Sequence, residues 1–207
     1  MAQTKRYQAI LIVAAVVMTV GAFLLTRLTA TSGTSETLIV MVILGLGIGP
    51  FFTGPTLAAQ NALPSQQLGI GTAAVRYMGQ LGSVLGVAVI GSVVNNVLAS
   101  DITARLHGIP GIATIPQPVI NQATNPQVLV NADYRHALTQ AVVQNTPPPF
   151  QNEALQTLNS LFDALKQSLN VGLHDGFLVI LGLSVASIVL TFFLRDVPLR
   201  ETNEFTA

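Results

Sequence analysis

The sequence predicts an all-α membrane protein, with four transmembrane helices and a long extracytoplasmic loop containing short helices before the last of them. Three observations carry this. Between Glu36 and Arg76 lie 39 consecutive uncharged residues, and after Arg76 no charge returns until Asp101. A water-exposed domain needs charge at every turn or two, whereas crossing about 30 Å of hydrocarbon takes roughly 20 apolar residues. Two further uncharged runs, 20 residues before Arg27 and 19 between Asp175 and Arg195, lie towards the two ends. Finally, 50% of the 207 residues are hydrophobic and only 9% are charged, against about 25% charged in a typical soluble chain.

The net charge is zero, which gives no basic surface for nucleic acid. Cysteine is missing, so disulfides, thiol chemistry and cysteine-based metal sites are excluded. Three segments follow: residues 1–98 with the first three spans, 99–174 as the extracytoplasmic loop, and 175–207 as the last span and a cytoplasmic tail.

The first span covers about 9–28, flanked by Lys5, Arg6 and Arg27. Its uncharged run exceeds a signal-peptide core and ends without a small-x-small cleavage site, so it reads as a retained span. A polar connection rich in Thr and Ser leads to the second span, about 37–59, with Ser35 as the expected N-cap. Pro50 and Pro55 lie inside this span among Gly45, Gly47, Gly49 and Gly54. In water each proline would cost about 3 kcal/mol, but in a membrane neighbouring groups can re-satisfy the freed carbonyls and a kinked helix results. Such a kink serves either packing or the lining and gating of a pathway.

The third span, about 71–98, follows a polar joint at Gln60, Asn61, Pro64, Ser65, Gln66 and Gln67. Gly79, Gly82, Gly86 and Gly91 sit on it at spacings that let another helix come close. The loop then collects most of the prolines and holds two helical stretches, 128–143 and 152–170. The second carries an amphipathic stripe of Leu155, Leu158, Phe162, Leu165 and Leu169, suited to packing on the bundle or the other loop helix, or to lying in the lipid interface. The last span is about 176–194, with Asp175 as the expected cap of its start.

Four spans put both termini on one side of the bilayer. Placing them in the cytoplasm puts Lys5, Arg6, Arg76, Arg195 and Arg200 inside, against Arg27 in the short outer connection. Arg105, Arg135 and Lys166 belong to a loop too long to count. The chain is therefore expected to be integral to a membrane, the bacterial inner membrane, with cytoplasmic termini.

Arg76 is the one charge inside the long apolar run. It either faces a partner or water-filled cavity, or snorkels to the interface as an anchor. Gln60 and Asn61 are the nearest polar partners by sequence; Pro50 and Pro55 complete the pathway or gating candidates. His174 and Asp175 could relay protons at the outer boundary, the alternative to Asp175 as a cap. No phosphate-binding loop, zinc-binding histidine pair or nucleophile elbow occurs, so catalytic, metal and cofactor sites are not expected.

The ordered elements Gly45-Leu46-Gly47-Ile48-Gly49, Ala59-Gln60-Asn61-Ala62-Leu63-Pro64, Gly69 and Arg76-x-x-Gly79-Gln80-x-Gly82-x-x-x-Gly86-Val87-Ala88-x-x-Gly91 resemble the C-terminal end of the major facilitator superfamily. They are most similar to its fourteen-span drug:proton antiporter branch, as are the long outer loop and the ending Leu194-Arg195-Asp196-Val197-Pro198-Leu199. The resemblance implies that these are the last four spans of a multidrug efflux transporter, with the N-terminal transporter helices missing. It implies that the complete protein exports small amphipathic or cationic substrates in exchange for protons, using a carboxylate that these spans lack. A membrane scaffold or accessory protein, binding a partner through its outer loop, is the other reading.

Overall fold

The computed structural model describes residues 7–29, 32–112, 115 and 117–193, and among these all regular structure is helical. Lys5, Arg6, Arg195, Arg200 and the ending 194–199, on which part of the charge count and resemblance rests, lie outside the described residues. The helices are α1 (Tyr7–Arg27), α2 (Thr34–Ala62), α3 (Leu68–Leu106), α4 (Gln117–Ala123), α5 (Gln127–Val130), α6 (Ala132–Asn145) and α7 (Gln151–Phe193). Four stretches are long and apolar enough to cross a membrane: 8–27, 34–62, 65–106 and 148–193.

The described residues form two compact units, one from the stretches 7–90 and 177–193 and the other Gly91–Gly176. In the first, α1 and α2 pack as an antiparallel pair. The connection between them is too short for any other arrangement. Leu11, Ala14, Ala15 and Ala22 form the buried stripe of α1. On α2 the buried positions are Val40, Gly47 and Gly54, spaced by seven. The pairing register is read from the glycines. Gly54 lies against Leu11, Gly47 against Met18 and Gly21 against Leu44, so one number rises as the other falls. A Cβ at Gly47 would meet the Met18 backbone nitrogen and stand 2.6 Å from its Cα.

Helix α2 runs unbroken through Pro50 and Pro55. Its first residue is Thr34 behind the cap residue Gly33, so Ser35 lies inside the helix instead of capping it. The Thr37 hydroxyl donates to the Gly33 carbonyl at 3.2 Å, and Glu36 sits in the first turn, where the helix dipole favours a negative charge. The polar joint takes the expected place: Leu63 ends α2, and Ser65–Gln67 make one 3-10 turn before α3.

Helices α3 and α7 overrun the ends that hydropathy set for their spans. Helix α3 continues past 98 to Leu106, helped by the Asp101–Arg105 ion pair one turn apart. Helix α7 joins the loop stretch 152–170 to the last span without a break, so Asp175 is an interior helical residue and not a cap. Gly172, which costs about 1 kcal/mol in a helix, is tolerated where the backbones are close. A Cβ there would stand 2.9 Å from the Val94 carbonyl oxygen.

The second unit has its own apolar core, with Leu158, Leu161, Leu165, Val128, Leu138 and Val142 among its buried side chains. Leu158 and Leu165 of the amphipathic stripe are buried in it, and Phe162 and Leu169 pack against it. The stripe thus faces protein, as expected of the packing alternative. The stretch 128–143 is not one helix but two, parted at Asn131. The Asn131 side chain accepts from the Asp133 and Tyr134 amides, at 3.0 and 3.2 Å, and starts α6. Arg135 ties the parts together by donating to the Val128 and Leu129 carbonyls.

Candidate functional site

In the first unit a cavity of about 830 Å³ opens between α2 and α3. Its α2 wall is Ile48, Phe51, Phe52, Pro55 and Thr56. These positions share a face because a helix returns to the same side every three to four residues. Arg76, Gly79, Gln80 and Ser83 form the matching face of α3, with Ala74, Val75 and Met78 beside them. The cavity therefore has two phenyl rings on one side and a guanidinium, an amide and a hydroxyl on the other.

Arg76 makes no hydrogen bond or ion pair with any described residue. The Ser83 hydroxyl donates to the Gln80 carbonyl at 2.8 Å, which leaves its lone pairs open to a ligand donor. Among the described residues no carboxylate lines the cavity. The acidic residue at the far end of α2, Glu36, is twelve positions from Ile48, about 18 Å along a helix.

Of the residues singled out by sequence, the cavity gathers Arg76, Pro55 and Gly79. Pro50, Gln60 and Asn61 are not part of its wall. Gly79, Gly82, Gly86 and Gly91 have nothing within 4 Å of an added Cβ. Among the described residues no other helix packs against them. The glycines that do meet a neighbouring helix within the first unit are Gly21, Gly47 and Gly54. Sequence reasoning passed over Phe51, Phe52 and Ser83, although their spacing from Pro55 and Arg76 was available as a signal.

The second unit holds a separate cavity of about 710 Å³, lined by Ile115, Val119, Val142, Phe150 and Ala154, with Asn145 and Glu153 as polar members. Elsewhere in that unit Arg105 links α3 to α7 by donating to the Gln167 side chain at 2.6 Å. The same guanidinium pairs with the Asp101 carboxylate one turn earlier on α3. The Ser168 hydroxyl of α7 is fully buried in this unit, with no hydrogen-bond partner among the described residues. His174 and Asp175 are consecutive interior helical residues of α7, and no hydrogen bond among the described residues joins their side chains.

Comparison with known proteins finds relatives among MFS-type multidrug and efflux transporters, at modest identity. The multidrug transporter protein MdtP of Bacillus subtilis is 27% identical over 189 residues, which is 88% of this chain and 33% of that protein. An MFS-type transporter of Claviceps purpurea is 28% identical over 178 residues, 86% of this chain and 27% of its own length. Efflux pump aflT of Aspergillus parasiticus is 31% identical over 133 residues, 64% of this chain and 25% of the pump. The chain thus spans a third or less of these curated relatives. No family model and no solved structure matches it.

Proposed function

We propose that this chain is the last-four-helix portion of a fourteen-span, proton-coupled multidrug efflux transporter of the major facilitator type. The carrying observation is the alignment of 88% of the chain with one third of a multidrug transporter, in a chain that has four stretches fit to span a membrane. In this reading the chain sits in the bacterial inner membrane with cytoplasmic termini, and Gly91–Gly176 faces outwards. The other ten spans are its partner, and Gly79, Gly82, Gly86 and Gly91 of α3 are where they dock.

The orientation predicts a labelling pattern in this cysteine-free chain. Ser32→Cys and Asn125→Cys react with impermeant maleimides added to intact cells, and Ser65→Cys does not. Outside labelling of Ser65→Cys sinks the orientation.

The reading also predicts that the chain alone moves no drug. Purified and reconstituted in liposomes with a proton gradient, it leaves ethidium efflux at the level of empty vesicles. Fused in frame behind the ten upstream spans of a related transporter, it restores resistance. Gradient-driven efflux by the chain alone overturns the proposal.

A second reading has one observation in its favour: residues 91–176 fold around their own core and hold a cavity, as a partner-binding module would. The genomic reading frame separates the two. Ten spans encoded in frame upstream support the transporter portion, and their absence supports a scaffold.

A further inference from the structure

The cavity between α2 and α3 has a charge opposite to that expected for a cation exporter. Among the described residues its one ionisable wall residue is Arg76, which has no described partner, and no described carboxylate lines it. Arg76 is exposed to this space eight residues after α3 begins, and under the transporter reading it lies in or beside the bilayer, where low dielectric and poor screening strengthen its attraction for an anion. The same field repels a cation. Opposite stand Phe51 and Phe52, suited to stack on an aromatic body, while Gln80 and Ser83 flank Arg76 with further donor and acceptor atoms. The space is an open groove, with Phe52 79% exposed, and its volume of about 830 Å³ is within the range of small-molecule sites.

We propose that this groove binds an amphipathic molecule bearing one anionic group, with the anion on Arg76 and the apolar body against Phe51 and Phe52. Its biological meaning rests on the transporter reading, but its physical content does not, since binding is measurable on a chain that transports nothing. Two sources supply this chemistry in a membrane: a soluble organic acid, or an anionic lipid whose acyl chains take the apolar wall.

The test uses the full chain in phosphatidylcholine nanodiscs, with empty discs subtracted, and three probes sharing one ring system. These are 1-pyrenebutyrate, 1-pyrenebutanol and a pyrenebutyl trimethylammonium salt. The expected order is acid, then alcohol, then cation, with the acid bound roughly tenfold to a hundredfold more tightly than the cation, as a charge-assisted contact implies. Arg76→Gln brings the acid to the level of the alcohol, and Arg76→Lys keeps part of the preference because a point charge remains without the planar fork. Phe52→Leu weakens all three probes together.

Exchanging part of the phosphatidylcholine for phosphatidylglycerol separates the two sources. Displacement of the acid from the unmodified chain, beyond the change seen with the Arg76→Gln chain, makes the anion lipid-borne. Retention makes it soluble. Either result upholds an anion site. A cation bound as tightly as the acid, or an acid preference unchanged in Arg76→Gln, overturns it. If Arg76→Gln does not fold, the ranking of the three probes on the unmodified chain decides alone. Failure of efflux in the fused transporter would count against the transporter reading and leave this ranking untouched.

Discussion

Gly47→Leu is expected to separate α1 from α2 and to cost about 3 kcal/mol or more, the upper end for overpacking. The reason is the neighbour it meets. At Gly47 the nearest atoms belong to the Met18 backbone, which cannot rotate away as a side chain can. The expected readout is loss of the monodisperse peak in detergent, or a large fall in unfolding midpoint for any protein that survives. Gly86→Leu is the control, since nothing lies within 4 Å of a Cβ there. In this chain alone it should stay within about 0.5 kcal/mol of the original, as substitutions in open positions do. In the fused fourteen-span protein it should cost about 1–3 kcal/mol if the α3 glycines receive another helix. An unchanged midpoint for Gly47→Leu would show that α1 and α2 do not meet in this register.

The contrast between these glycines shows what the sequence could and could not disclose. Gly45, Gly47 and Gly49 look alike in the chain, yet only Gly47 has a helix against it, because burial depends on helix rotation about its axis. That rotation is set by the partner, through Leu11, Ala15 and Met18 on α1. The four spans themselves were legible because uncharged runs of this length are rare in water-exposed chains. Helix ends were not, since lipid-crossing length and helix length are different quantities. Helix α3 runs on to Leu106, with the Asp101–Arg105 pair in its last turns, after its uncharged run is over, and α7 begins inside the loop. Asp175 was misplaced for that reason: a carboxylate that begins an apolar run need not begin a helix.

The cavity was half legible. Arg76 stood out as a charge in an apolar run, and Pro55 as a proline inside a helix. Phe51 and Phe52 gave no contrast, since a phenyl ring in an apolar helix is ordinary whichever way it points. Gln60 and Asn61 were chosen by closeness along the sequence, yet the wall on either side is built at helical spacing. Gln80 and Ser83, one and two turns beyond Arg76, are what that spacing selects.

Leu161→Ala should produce the other large effect, confined to the unit Gly91–Gly176. Leu161 is completely buried there, beside Leu158 and Leu165 on the same α7 stretch. Truncating a fully buried leucine costs about 2–5 kcal/mol, because the lost transfer energy is joined by a cavity that the surroundings fill only partly. Whole domains are stable by about 5–15 kcal/mol, so the unit should open measurably. Hydrogen exchange is the suitable measurement. Amides of α4 and α6 around Ile120, Leu138 and Val142, whose side chains share the core, should lose protection by roughly a hundredfold or more. Amides of α1 and α2, in the other unit, should keep theirs. Leu155→Ala is the companion variant. Leu155 is only half-buried and should cost distinctly less. Unchanged protection in α4 and α6 after Leu161→Ala would mean that the unit Gly91–Gly176 does not fold around α7, and the amphipathic stripe would then have to be assigned to the lipid interface instead.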